Sequence, residues 1–245
     1  MIDLVNYQEK VSQAVCQFWA SRNRARKNQM KRGSSDLGER SSVTAGKNMN
    51  GFVSLFTDLV RANGLPNAEI MQSRSALTLP GFFRPAKVWD ILVMNKKELV
   101  AVLELKSHIG PSYGNNFNNR AEEAIGSSLD FWTAYREGAF GIQPRPFAGW
   151  LILVEDSAKS RVPVKTVSPN FPLSEEFLEK SYLQRYDILC QKLIKEHLYT
   201  AACLITSSRN IQSKNNYFCL SSLTDLKTFA AAFAGHIAAV SARLS

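Results

Sequence analysis

Two carboxylates and one lysine are the residues whose types and spacing indicate chemistry. Asp90 lies in the run 88–93, and Glu104 and Lys106 end the run 99–106. Both runs are short, apolar and rich in β-branched residues, and a polar stretch separates them, so they predict a β-hairpin. Because side chains alternate across a strand, we expect Glu104 and Lys106 on one face and the neighbouring leucines on the other.

This combination is what metal-dependent cleavage of a phosphodiester requires. Two carboxylates bind a hard cation through oxygen ligands, and an ammonium beside them can orient or deprotonate a water. The alternative is structural, because charged residues often form a solvated strand edge, where Glu104 and Lys106 would be a weak ion pair. The chain has one other acid-x-Lys pattern, Asp225-Leu-Lys227, in a helical pattern where positions two apart do not face each other.

Composition limits the classes of protein that the chain can represent. Its 245 residues include 30 basic and 21 acidic ones, and the net charge of +9 favours a polyanionic partner. No apolar run is long enough to span a bilayer, and the N-terminus has no signal-peptide pattern, so we expect no membrane association. The four cysteines form no zinc spacing and only three histidines are present, which indicates reduced thiols, a cytoplasmic protein and no histidine–metal nuclease.

The hydrophobic pattern predicts a mixed α/β fold whose acidic residues emerge at one end of a central sheet. Helices are expected at 1–21, 48–63, 119–137, 182–197 and 222–244, and strands near 68–72, 88–93, 99–106, 149–154 and 202–206. Asn119 with Glu122 resembles a capping box at the start of the third helix. The apolar seam from Leu223 to Leu244 predicts packing into the core or against a second subunit.

Longer blocks of sequence resemble a known family. Asp90 followed by Glu104-x-Lys106 resembles the PD-(D/E)xK nuclease superfamily, with Trp89 in place of its proline. Residues 39–41, 48–52, 77–90, 104–111, 115–126 and 149–156 together resemble XhoI-type type II restriction endonucleases, over about residues 7–197. The resemblance implies a restriction-endonuclease-like core, a mixed sheet flanked by helices, in a single nuclease domain over 1–245. The catalytic core would span about 48–156, between an N-terminal helix and basic segment (1–47) and an α-rich C-terminal part (157–245).

The resemblance also implies an activity. It implies Mg²⁺-dependent cleavage of double-stranded DNA at the palindrome CTCGAG, after the first C, leaving 5′ overhangs and 5′-phosphates. Asp90, Glu104 and the Leu105 carbonyl would bind Mg²⁺, and Lys106 would position and help deprotonate the attacking water. Glu39 and Asp58 are candidates for an additional acid. A palindromic site implies a homodimer, and a cognate DNA methyltransferase would be its genetic partner.

Two polar segments are candidates for contact with DNA. The first has six basic residues in eleven and no acid, and it is either a solvated surface or a contact with phosphates; its candidates are Arg22, Arg24, Arg26 and Lys27. The second follows Lys106 and comprises Asn115, Asn116, Asn118, Asn119 and Arg120. Arginine reads guanine and asparagine reads adenine, but asparagine also builds turns, so both roles stay open for this segment.

Two other functions remain open at this point. One is a PD-(D/E)xK repair nuclease without sequence specificity, which would share the chemistry of Asp90 and Glu104. The other is a basic DNA-binding protein whose carboxylates are structural and which would need no cation.

Overall fold

The structure is a computed structural model, and it describes residues 2–31, 49–71, 73–209 and 216–244. The helices are α1 (Tyr7–Lys31), α2 (Asn50–Ala62), α3 (Gly114–Arg136), α4 (Ala158–Arg161), α5 (Tyr182–Lys195) and α6 (Leu226–Leu244). The strands are β1 (Glu69–Met71), β2 (Thr78–Pro80), β3 (Ala86–Val88), β4 (Ile91–Asn95), β5 (Glu98–His108), β6 (Phe147–Glu155) and β7 (Ala201–Ser207). Within these described ranges, none of the helices is both long enough and apolar enough to cross a membrane.

The main sheet has five strands in the order β1-β4-β5-β6-β7. β4 is antiparallel to both of its neighbours, β1 and β5, whereas β5, β6 and β7 run parallel to one another. The predicted hairpin is confirmed, because β4 pairs with β5 and places Ile91 opposite Leu103. The mixed α/β fold with a central sheet is therefore confirmed as well.

Helices cover both faces of this sheet. Strand β6 is buried along its whole length, as expected of a central strand, since both of its faces pack against apolar side chains. On one face α1, α2 and α6 contribute to a core that includes Phe18, Phe56 and Phe233. On the other face α3 and α5 form a second core with Trp132 and Tyr186.

Helix α6 packs the part of its apolar seam from Leu226 to Val240 into the first of these cores, whereas Leu223 and Leu244 at the two ends of the seam are exposed. Phe229 and Phe233 contact Phe56 edge to face, with ring centroids 5.6 and 5.3 Å apart. The helix begins at Leu226 rather than near residue 222, because the Asp225 side chain accepts the backbone N–H of Thr228 at 2.6 Å as a cap. Of the two arrangements predicted for the seam, packing into the core is the one observed.

Helix α1 is longer than the sequence predicts. The predicted end near residue 21 is wrong, because the helix continues through the basic segment to Lys31. Arginine, lysine, alanine and glutamine have high helix propensity, and the sequence has no glycine or proline between residues 21 and 32. The basic residues from Arg22 to Lys31 therefore lie on successive turns of one helix, and Arg32 lies outside the described residues.

The residues predicted to form one strand at 88–93 are divided between the main sheet and a second, two-stranded sheet. β2 pairs with β3, and the Trp89 N–H extends this pairing by donating to the Leu77 carbonyl at 2.9 Å. The Asp90 N–H instead donates to the Leu103 carbonyl of β5 at 3.2 Å. The chain therefore passes from one sheet to the other between Trp89 and Asp90. Pro80 ends β2 and Pro85 directly precedes β3, and because proline is rare inside sheets these two short strands were not predicted from the sequence.

Candidate active site

Asp90 lies at the point where the chain enters the main sheet. Its carboxylate accepts the backbone N–H of Leu105 at 2.8 Å, which fixes it against β5. Burial, with the nearby Glu104 carboxylate, raises the pKa of Asp90 from 3.8 to about 6, against the opposing charge of Lys106. Asp90 is therefore held beside Glu104 although the two negative charges repel each other.

Glu104 is buried between two ammonium groups. Lys106 pairs with Oε1, and the Nζ atom of Lys87 lies 2.8 Å from Oε2. Burial acts to raise the pKa of Glu104, but the charges of Lys106 and Lys87 outweigh it and lower the pKa. Glu104 therefore stays ionised, and the prediction that Glu104 and Lys106 share one strand face is confirmed.

Lys106 stays positively charged for the corresponding reason. Burial acts to lower the pKa of its ammonium, but the carboxylates of Glu104 and Asp90 outweigh burial and raise it. In the metal-free protein Lys106 is therefore a donor that can orient a water or a phosphate oxygen.

Lys87 is a site residue that was not predicted from the sequence. It lies in β3, its side chain is 11% exposed, and its Nζ atom is 4.8 Å from the centroid of the Trp89 ring. In a continuous strand, Lys87 and Asp90 would face opposite sides, so alternation argued against a shared site. The change of sheet at Trp89 removes that restriction.

Helix α3 anchors the hairpin that carries Lys87. The buried carboxylate of Asp130 accepts the backbone N–H groups of Phe82 and Phe83 at 2.9 and 2.7 Å, and Arg84 Nε at 2.8 Å. Gly81 is required at the tip, because a Cβ there would lie 2.5 Å from the Arg84 carbonyl oxygen. The hairpin backbone is thus fixed, with the two phenyl rings exposed at its tip.

The asparagine-rich segment forms the first turns of α3. The predicted start at Asn119 is wrong, because the helix begins at Gly114 and the Phe117 N–H already donates to the Tyr113 carbonyl at 2.9 Å. Phe117 packs against Tyr186 of α5 with ring centroids 5.0 Å apart. This tertiary packing outweighs the turn preference of asparagine.

Helix α3 also brings an acidic residue, Glu123, close to Lys106. Arg120 pairs with Glu123 at 2.5 Å, and the Oε2 atom of Glu123 lies 3.9 Å from Lys106 Nζ. Asn115, Asn118 and Asn119 are exposed, and Asn116 donates to the Ser112 carbonyl at 2.7 Å. Arg120 and the asparagines therefore lie on a helix that borders the site, and Glu123 is an acid there that the sequence did not single out.

The other predicted site residues lie elsewhere. Asp58 pairs with Lys10 between α2 and α1, on the opposite face of the sheet, and is not brought to the cluster. Glu39 lies outside the described residues.

The basic residues of α1 come directly after Trp19, a residue that contacts the edge of the main sheet. Trp19 Nε1 donates to Ser207 at the C-terminal end of β7, 3.0 Å away, and the C-terminal ends of parallel strands meet at one edge. Arg24 and Lys27 are exposed and Arg22 is half-buried; Arg26 belongs to the same helix. The basic turns thus begin near the edge where β5 carries Lys106.

The site fits a divalent cation. The buried Oε2 atom of Glu104 makes no hydrogen bond of normal geometry to the described residues, although the Lys87 ammonium lies beside it. No group of three or more His, Cys, Asp or Glu comes together in the part of the chain that the structure describes. A cation held by Asp90 and Glu104 would take its other ligands from backbone carbonyls, water and phosphate, which suits Mg²⁺.

Comparison with known proteins identifies the family of this chain. Residues 28–219 match the family model described as restriction endonuclease XhoI. The chain belongs to the XhoI restriction endonuclease family. It is 54% identical over 194 residues to the type II restriction enzyme XhoI of Xanthomonas vasicola, covering 79% of this chain and 77% of that protein.

Two further relatives agree with this assignment. The type II restriction enzyme AbrI of Azospirillum brasilense is 54% identical over 173 residues, which cover 71% of this chain and 78% of that protein. The type II restriction enzyme BstVI of Geobacillus stearothermophilus is 45% identical over 179 residues, covering 71% and 80%. No solved structure matches this XhoI-family chain. The family resemblance inferred from the sequence is confirmed: this member is a type II restriction endonuclease, a site-specific deoxyribonuclease.

Proposed function

We propose that this endonuclease cuts both strands of DNA at CTCGAG, after the first C, in a Mg²⁺-dependent reaction that leaves 5′ overhangs and 5′-phosphates. The observation that carries the proposal is the cluster of Asp90, Glu104 and Lys106 on adjacent strands. Support for the DNA site comes from 54% identity to an enzyme named XhoI.

In this proposal the chain's own residues set up an in-line displacement at phosphorus. Asp90, Glu104 and the Leu105 carbonyl hold Mg²⁺, which when bound neutralises charge developing on the phosphate. Lys106 keeps its charge because two carboxylates face it, so it orients the attacking water. The water oxygen bonds to phosphorus and gives up a proton to solvent, while the bond between phosphorus and the 3′-oxygen breaks and that oxygen takes up a proton from solvent, giving a 3′-hydroxyl and a 5′-phosphate.

Recognition would use the two segments that border the site. On α3, the exposed Asn115, Asn118 and Asn119 and the neighbouring Arg120 would reach base edges, since Arg and Asn donate to guanine and adenine. On α1, Arg22, Arg24, Arg26 and Lys27 would contact phosphates and contribute affinity without sequence preference.

The working unit would be a homodimer acting in the cytoplasm. A palindrome presents the same base edges to two subunits, and one cluster built on Asp90 and Glu104 attacks one strand, so a two-fold dimer cuts both. A methyltransferase that modifies the same site would protect the DNA of the host cell.

The test is digestion of a plasmid with one CTCGAG site, beside a matched plasmid in which one base pair of that site is changed. With Mg²⁺, the first plasmid should become linear and the second should stay uncut, and sequencing of the ends should give the cut after the first C. EDTA should abolish cleavage. A smear on both plasmids would show a nonspecific nuclease, and DNA binding without strand breaks in Mg²⁺ would show a non-catalytic protein.

A further inference from the structure

We propose that Lys87 is a second active-site lysine, whose ammonium occupies the cation position at Glu104 in the metal-free enzyme and contacts the scissile phosphate when metal and DNA bind. The inference rests on the proposed function, because it takes Glu104 to be a ligand of the divalent cation. In this proposal Lys87 competes with the divalent cation for Glu104 in the free enzyme, and it contacts the substrate in the complex with DNA.

The first step is the geometry at Glu104. Each oxygen of this buried carboxylate faces an ammonium, Lys106 at Oε1 and Lys87 at Oε2, with the second Nζ 2.8 Å away. Oε2 nevertheless makes no hydrogen bond of normal geometry to the described residues. The contact of Lys87 with Oε2 is an ion pair, and a divalent cation at the same oxygen would displace the ammonium.

The second step is the charge balance. Asp90 and Glu104 carry two negative charges when both are ionised, and Lys87 and Lys106 carry two positive charges, so the metal-free cluster is neutral. A divalent cation held by the two carboxylates would repel both ammonium groups at short range. Lys106 also faces the carboxylates of Asp90 and Glu123, whereas the ion pair of Lys87 among the described residues is with Glu104, so Lys87 is the group that moves.

The third step is the destination of the displaced ammonium. Asp130 fixes the backbone of the β2–β3 hairpin, so the side chain of Lys87 moves while its Cα stays at the site. While its ammonium lies beside Glu104 it is also 4.8 Å from the Trp89 ring centroid, so the ring provides a second favourable contact for the cation next to the carboxylate. The scissile phosphate is the anion that enters this space, and its non-bridging oxygens accept from an ammonium.

A coupling between metal and DNA follows from these steps. Without DNA, metal binding must displace Lys87 from its only strong anionic partner in the described site, Glu104. With DNA, the phosphate takes the ammonium, so metal binds more tightly, and by reciprocity metal strengthens DNA binding at the site. A purely structural Lys87 would give no such coupling.

The experiment measures Mn²⁺ binding to the full-length, EDTA-stripped protein without DNA, from the electron paramagnetic resonance signal of free Mn²⁺. Lys87→Met keeps the apolar stem over Trp89 but removes the charge, and it should tighten Mn²⁺ binding by about tenfold. At saturating Mn²⁺ the same variant should cut a CTCGAG duplex roughly a hundredfold more slowly in single turnover. Lys87→Arg, which keeps the charge, should bind Mn²⁺ like the wild type.

Controls separate this inference from the proposed function. Lys97→Met makes the same change of charge in the exposed β4–β5 turn, and it should alter neither quantity. Glu104→Gln should abolish Mn²⁺ binding; if it does not, the metal site and the inference both fail. If binding depends on Glu104 but Lys87→Met leaves it unchanged or weaker, or leaves cleavage unchanged, only the inference is overturned. Thermal unfolding verifies each fold, and Lys87→Gln replaces Lys87→Met if that variant does not fold.

Discussion

Replacing Asp90 with asparagine should raise the free energy of unfolding of the metal-free protein and should abolish DNA cleavage. Burial and the Glu104 carboxylate raise the pKa of Asp90 from 3.8 to about 6, so keeping this group ionised in the fold costs free energy. Asparagine has nearly the same shape, and its carbonyl oxygen can still accept the Leu105 N–H that Asp90 accepts at 2.8 Å. The substitution therefore removes the charge and keeps the hydrogen bond.

The magnitude follows from the pKa. A rise from 3.8 to about 6 corresponds to about 3 kcal/mol, at about 1.4 kcal/mol per pH unit. Below pH 3.8 Asp90 is protonated in both states and carries no penalty; between pH 3.8 and about 6 the folded state binds more protons, so the free energy of unfolding falls as pH rises. Above about pH 6 the full penalty is present. Asparagine avoids this penalty, which should raise the melting temperature by roughly 6–12 °C for a chain of this length.

The assay is thermal unfolding followed by circular dichroism in EDTA, at about pH 8 and again at about pH 5. The increase in melting temperature caused by Asp90→Asn should be largest at the higher pH and should be smaller at the lower pH. Asp58→Asn is the matched control, since Asp58 forms a half-exposed pair with Lys10 and its loss should cost about 1 kcal/mol or less. If Asp90→Asn is less stable than the wild type at the higher pH, or if its gain does not depend on pH, the reasoning is refuted.

Three further predictions address the hairpin, the basic helix and the assembly. Asp130→Ala should lower stability by about 2–4 kcal/mol, because it leaves the Phe82 and Phe83 N–H groups without their acceptor; an unchanged melting temperature would contradict the anchor. Neutralising Arg22, Arg24, Arg26 and Lys27 together should weaken binding to cognate and random duplexes equally and flatten its salt dependence, whereas a loss on cognate DNA alone would mean that these residues read bases. Sedimentation on a short CTCGAG duplex should give two chains per duplex; a single 27.4 kDa chain that cuts both strands together would rule out the dimer.

The parts of the site that obey strand geometry could be predicted from the sequence. Alternation along β5 put Glu104 and Lys106 on one face, and the structure pairs them because successive side chains point to opposite sides of any strand. Alternating apolar steps likewise identified the buried face of α6. In both cases the backbone conformation fixes the spacing at which side chains return to the same face, so the face can be predicted from residues that are close in sequence.

The parts that depend on tertiary contacts could not be predicted. Lys87 reaches Glu104 because the chain changes sheets between Trp89 and Asp90, and no local periodicity encodes that step. Helix α3 starts before Asn119 because Phe117 packs against Tyr186, a residue far along the chain. Glu123 joins the site through the path of α3, which brings it 3.9 Å from Lys106.

The central claim is that Glu104 holds the cation that cleaves DNA, and single-turnover cleavage tests it most directly. Glu104→Gln is compared with Glu98→Gln, the same change at the other end of β5, on a CTCGAG duplex in Mg²⁺, with DNA affinity measured in parallel. We predict that Glu104→Gln binds the duplex in EDTA at least as tightly as the wild type, because one carboxylate no longer repels the phosphates, but that in Mg²⁺ it cuts about a hundredfold or more slowly, while Glu98→Gln cuts normally. Cleavage by Glu104→Gln within about tenfold of the wild-type rate, at equal binding, would contradict the account.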